Sequence, residues 1–131
     1  MIDISEMTIQ QAGDAIVGKL VEQGAQCMDG DNCVYSDGRG NHCSIGWVLL
    51  YDEDENGVPF DAFVNVCRLM EDNPEALPQL VLDNIDFFSE LQSFHDFHAA
   101  QGREDCRIGM IDSYNVGTSE VWKKWVKLGN P

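Results

Sequence analysis

The stretch Asn84-Ile85-Asp86-Phe87-Phe88-Ser89-Glu90-Leu91-Gln92-Ser93-Phe94-His95-Asp96-Phe97-His98-Ala99-Ala100 decides the fold class of this chain. Ile85, Phe88, Leu91, His95 and His98 recur at spacings of three and four, the period of a helix that lays one face on a core. Gly102 follows and is expected to end that helix. Asp83, Asp86 and Glu90 keep the same spacing and predict a stripe of carboxylates along one face. A periodic segment this long predicts a mainly α protein.

Toward the C-terminus, residues 103–118 show no clear period and read as irregular. Ser119 then opens a last helix with Val121, Trp122, Trp125 and Val126 inward. Lys123, Lys124 and Lys127 lie toward its C-terminus, where the helix dipole favours cations. Toward the N-terminus, Pro78 limits residues 75–82 to one or two turns. Asn73-Pro74 stops a helix expected from about Asp61, with Phe63, Val64, Cys67 and Met70 inward. Residues 52–59 form an acidic loop, and before it Cys43–Tyr51 is the most apolar segment of the chain. Its length suits a buried strand or a short helix; helix is the reading adopted, starting near Asn41. In the turn-rich residues 27–42, Asp37-Gly38 favours a tight turn, with Cys33-Val34-Tyr35 as one arm of a short hairpin that would bring Cys33 near Cys43. The first helix is the best delimited. Thr8 and Gln11 make a capping box, Ile9, Ala12, Ile16, Leu20 and Val21 form its stripe, and Gly24 follows as terminator. The expected architecture is a single mainly α (α+β) domain over residues 1–131, about four to five helices with a short β-hairpin after the first.

Composition narrows function. The chain has 131 residues, 44% of them hydrophobic, so a packed core rather than disorder is expected. Twenty-three acidic residues face eight basic ones, for a net charge of −15. Residues 52–96 hold most of it, with twelve acids and only Arg68 as a base. Such a field opposes direct binding to DNA, RNA or an anionic membrane and suits a partner protein with a basic surface. No apolar run approaches the roughly 18 residues needed to cross a bilayer. Met1-Ile2-Asp3-Ile4-Ser5-Glu6 lacks the basic and apolar regions of a secretory signal, so a cytoplasmic location is expected. Five cysteines, none in a Cys-x-x-Cys pair, read as reduced thiols. No cofactor is implied, and nothing in the sequence speaks to oligomeric state.

The segment from Cys33 through Tyr35, Gly40, Cys43, Ser44, Ile45 and Gly46 to Leu49 resembles a motif of a family of small, uncharacterised phage and prophage proteins. There it reads C-x-Y-x4-G-x2-C-A-I-G-x2-L and is followed by an acidic stretch. A later L-Q-x-x-H-D motif of that family is matched by Leu91, Gln92, His95 and Asp96, and a terminal helix with tryptophans by Trp122 and Trp125. The resemblance runs from about residue 9 to residue 128. Ser44 stands where the family has alanine, and residues 103–118 have no counterpart. The resemblance implies a viral context and no particular activity.

Four constellations carry candidate chemistry. Cys27, Cys33, His42 and Cys43 supply the soft donors of a zinc site, but their spacing lacks a knuckle, and packing of small thiols across a hairpin is the plainer reading. Cys43 at a helix start, with His95 as base and Asp96 as its orienting carboxylate, outlines a cysteine hydrolase; a hydrogen-bonded histidine in the core is the commoner case. Asp52, Asp54, Asn56 and Gly57 match the opening of an EF-hand loop, but Phe63 stands where its bidentate glutamate belongs, which leaves a hydrated acidic turn. The fourth is the acidic surface: Asp52, Glu53, Asp54, Glu55, Asp83, Asp86 and Glu90. Carboxylates about 5–6 Å apart along a helix approach the spacing of phosphates. The function expected is therefore a phage-encoded acidic accessory protein. It would bind and inhibit a host nucleic-acid-handling or defence protein as a nucleic-acid mimic. A cysteine hydrolase and a metal-stabilised structural module are the alternatives, and a merely solvated charged face is the plain one.

Overall fold

A computed structural model describes residues 2–24, 28–29, 32–33, 35–36, 40–51, 66–95 and 100–128. Helices dominate them. Helix α1 (Ile9–Gln23) has the expected capping box: the Gln11 amide donates to Thr8 Oγ1 at 3.2 Å and the Thr8 amide to Gln11 Oε1 at 3.0 Å. Gly24 closes it at φ +67°, a left-handed conformation that glycine adopts without strain.

Among the described residues, β structure is confined to strands β1 (Met28–Asp29) and β2 (Asn32–Cys33), paired antiparallel with Met28 opposite Cys33, and to an isolated bridge between Ser36 and His42. The hairpin expected across Asp37-Gly38 is not seen as such. Cys33, its expected arm, pairs instead with Met28. Residues 37–39 lie outside the described residues.

The apolar segment Cys43–Tyr51 is not the helix expected. Only Ile45–Trp47 make a 3₁₀ turn, and Leu50 then donates to the Ala76 carbonyl at 2.8 Å. Close packing is the reason. Gly46 sits so near Tyr35 that a Cβ there would lie 2.0 Å from the Tyr35 carbonyl oxygen, so the turn is pressed against neighbouring backbone.

Helix α2 (Val66–Asp72) ends before Asn73-Pro74, as Pro74 dictates; the expected start near Asp61, with Phe63 and Val64, lies outside the described residues. A 3₁₀ turn at Pro74–Ala76 and helix α3 (Gln79–Asp83) supply the short turns expected around Pro78. Helix α4 (Ile85–His95) follows, then α5 (Ala100–Tyr114) and α6 (Glu120–Lys127).

Helix α5 overturns two expectations: Gly102 lies inside a helix, and residues 103–114 are helical. The buried stripe of α5 explains the miss. It consists of the buried Arg103 and Met110 with the half-buried Cys106, Arg107 and Tyr114, at helical spacing but with two arginines where aliphatic residues usually stand. Arg103 is fully buried; its Nη1 donates to the Trp125 carbonyl at 3.0 Å and its guanidinium stacks 4.3 Å from the Trp125 ring. Arg107 Nε donates to Glu104 at 2.8 Å and Nη1 to the Gly117 carbonyl at 3.0 Å.

One hydrophobic cluster joins these elements, from Ile4 to Trp125. Of the residues expected in it, Leu49, Phe88, Leu91 and Trp122 are buried, and Trp47 and Ile85 pack partly buried against it. Phe87 is buried as well, because α4 is flanked on several sides by α2, α3, α5 and the Ile45–Trp47 turn. Helices α1 and α6 pack closely: a Cβ on Gly13 would lie 3.0 Å from Val116 and 3.2 Å from Trp122. Asp14 pins that contact by accepting from Ser119 Oγ and Trp122 Nε1, each at 2.8 Å. Ser119 thus occupies the expected N-cap position while its hydroxyl serves Asp14 instead of its own helix.

Candidate functional site

The acidic surface is the first candidate, and within the described residues it falls in residues 66–95. Glu71 and Asp72 close α2, Glu75 lies in the following 3₁₀ turn, Asp83 ends α3, and Asp86 and Glu90 lie on α4; all six are exposed. Arg68 is the only base in residues 66–95, and its Nε is bonded to Asp72 at 2.9 Å. The stripe is not one helix face as expected. Asn84 (φ −135°, ψ 45°) interrupts the helical path, so Asp83 belongs to α3, where it accepts from Gln79 Nε2 at 2.9 Å. Asp86 sits in the first turn of α4, where the helix dipole favours an anion. Asp52, Glu53, Asp54 and Glu55, with the EF-hand-like positions, lie outside the described residues.

Asp86 and Glu90 border α5. Burial pushes the Tyr114 hydroxyl above its ordinary range, and the charge of Glu90, its hydrogen bond and the charge of Asp86 add to this. The Cys106 thiol is pushed up by burial and then by the charges of Asp105 and Glu90. Both effects hold the groups protonated, so this corner contains no activated thiolate.

The thiol–histidine pair is only half placed. Ser44, next to Cys43, donates to the Leu91 carbonyl at 3.2 Å and to Gln92 Oε1 at 2.8 Å, and the Ile45 amide donates to the same Oε1 at 3.1 Å. Ser44-Ile45 and Leu91-Gln92 therefore meet at a buried polar joint. Cys43 itself is fully buried and its Sγ accepts from the Gly46 amide at 3.4 Å, a packing environment without access for a substrate. Asp96 and the His95 side chain lie outside the described residues.

The zinc set fares similarly. Cys27 and the Cys33 side chain lie outside the description, and among the described residues no three histidine, cysteine or acidic side chains cluster as a metal site would require. His42 instead packs its ring 4.5 Å from that of Trp47, while Gln23 grips its backbone: Nε2 donates to the His42 carbonyl at 3.0 Å and Oε1 accepts from its amide at 2.8 Å. Beside this grip, Lys19, Glu22, Gln23, Gly40, Asn41 and Trp47 line an open cavity of about 210 Å³. That is below the roughly 300–1,000 Å³ of small-molecule sites.

Sequence reasoning missed Gln23, Asp14 and Arg103. Each is a polar side chain whose partner is distant in sequence, and no local pattern marks such a pair. Among the described residues no helix is long and apolar enough to cross a membrane. Comparison with models of known protein families, with curated proteins and with solved structures finds no match.

Proposed function

We propose that this is a phage-type acidic accessory protein that binds a basic protein surface and inhibits its owner, a nucleic-acid-handling or defence protein, by occupying the groove where nucleic acid would lie. One observation carries the reading: residues 66–95 present six exposed carboxylates against a single base that is already ion-paired. Uncompensated charge of one sign steers a complementary surface and repels nucleic acid itself. The resemblance to phage and prophage proteins supplies the host setting.

The test is capture of partners from a bacterial lysate by three forms of the protein. The first is the wild type; the second carries Asp83→Asn, Asp86→Asn and Glu90→Gln. The third carries Asp3→Asn, Glu6→Gln and Asp112→Asn as a charge-matched control on other exposed acids. Asp14 is unsuitable as a control because it bonds Ser119 and Trp122. The expected partner is held by wild type and control, weakly by the second form, and is released by added DNA. It is also released by 1 M salt, where the Debye length falls to about 3 Å. Retention by all three forms, or indifference to salt and DNA, would leave the acidity as a solvated surface only.

A further inference from the structure

Charge steers a partner but seldom holds it; affinity at protein interfaces concentrates in a few apolar or aromatic side chains inside a polar rim. A docking face built on residues 66–95 therefore needs an anchor. Among the described residues four large hydrophobic side chains are exposed: Leu50 (64%), Ile108 (46%), Leu128 (43%) and Tyr51 (38%). Leu128 follows Lys124 and Lys127 and so lies among bases that repel a basic partner, and Ile108 lies on α5, outside residues 66–95. Leu50 and Tyr51 are adjacent and tied to the acidic side. The Leu50 amide is bonded to Ala76 at 2.8 Å, and Tyr51 hydrogen-bonds the exposed Glu75, three residues beyond the acidic end of α2. Leu49 just before them is buried, so the chain is seated in the core while Leu50 turns outward. A side chain presented from a seated backbone loses little further freedom on binding.

We propose that Leu50 and Tyr51 are the apolar anchor of the docking face, and that its occupant is a basic protein segment carrying an aliphatic or aromatic side chain between lysines or arginines. The aliphatic group covers Leu50, the Tyr51 ring offers its face to a cation, and Glu75 and the α2 carboxylates meet the flanking charges. This rests on the acidic-docking reading above.

The test uses two short lysine-rich peptides of equal length and charge, one with a leucine among the lysines and the other with serine in its place. Fluorescence anisotropy gives their affinities for the full chain. Wild type is expected to bind the leucine peptide about tenfold more tightly than the serine peptide. Leu50→Ser with Tyr51→Ser should abolish that preference and weaken the serine peptide by no more than the loss of the Tyr51–cation contact, while Leu50→Met should keep the preference. Both sites are exposed, and circular dichroism checks that the fold is retained. Amide resonances of residues 49–51 and 74–76 should shift on adding the leucine peptide. Equal, salt-sensitive binding of the two peptides, survival of the preference in the double variant, or shifts confined to α6 would each overturn the anchor alone. If neither peptide binds at low salt, the acidic-docking reading falls and the anchor falls with it.

Discussion

Helices α4 and α5 lie against each other yet are held by different physics. Helix α4 buries Phe87, Phe88 and Leu91, with the Phe87 and Phe88 rings packed edge to face at 4.9 Å. Helix α5 buries Arg103 and Met110, and two guanidinium groups carry its hydrogen bonds to the Trp125 and Gly117 carbonyls. Burial of apolar area is non-directional and tolerates small shifts. A buried guanidinium is tolerable only while its donors reach acceptors and its faces are covered. Arg103 meets both conditions at the C-terminal end of α6, where a carbonyl has acceptor capacity to spare and the dipole favours a cation. Helix α4 is therefore expected to fail by cavity formation, and α5 by loss of geometry.

The largest effect is expected on α4. Phe88→Ala removes a fully buried ring from the centre of the cluster and should cost about 3–5 kcal/mol in urea unfolding. A loss below about 1 kcal/mol would mean that α4 shares in the core less than its burial indicates.

The next effect distinguishes the two helices. At Arg103, a substitution that keeps charge but loses shape should be worse than one that loses charge and keeps bulk. Arg103→Lys leaves a compact, strongly hydrated ammonium buried without the planar fork or the stacking on Trp125, and should cost about 2–3 kcal/mol. Arg103→Met removes the charge; the Trp125 carbonyl still accepts from the Leu128 amide at 3.3 Å, so the loss should be about 1 kcal/mol. Denaturation midpoints of both variants decide the matter. If methionine proves worse than lysine, charge rather than shape is what α5 needs.

The same contrast explains what was legible from the amino-acid order. Thr8, Gln11 and Gly24 bound α1 because capping is local chemistry, complete within a few residues. Helix α4 was legible because phenylalanine and leucine mark their own period. Helix α5 was not, because its inward residues include Arg103 and Arg107, and a guanidinium reveals that it is buried only once Trp125 and Gly117 are beside it. The Cys43–Tyr51 segment misled for the opposite reason. It is apolar enough for a helix, but Gly46 against the Tyr35 carbonyl and Leu50 on Ala76 are tertiary constraints with no local trace. For the site, the charge excess of residues 52–96 was plain from composition. The break at Asn84 that divides Asp83 from Asp86 and Glu90 was not, because the three-and-four spacing continues across it.

The smallest effect sharpens the comparison by pH. Arg107 holds the Glu104 carboxyl below its ordinary value of 4.5 through their hydrogen bond, against a smaller opposing effect of burial. A carboxyl lowered in the folded state contributes stability that is present above the unfolded value and lost as pH falls through the folded one. Glu104 is about a third exposed, so solvent screens the pair and its worth is at most about 1 kcal/mol. The wild-type profile alone does not isolate it. A chain of net charge −15 also loses self-repulsion as its carboxylates protonate, which acts in the opposite direction. Both proteins of a wild-type and Glu104→Gln pair share that background, so their difference reports the pair. The difference in unfolding free energy should be steady near neutrality, shrink as pH drops below 4.5, and vanish once Glu104 is protonated in the fold. A difference that stays constant into acid would show that the charge of Glu104 is not what contributes its stability. In that case the polar hold on α5 would rest on Arg103 and the Arg107–Gly117 bond, beside the packing of Met110 and Tyr114.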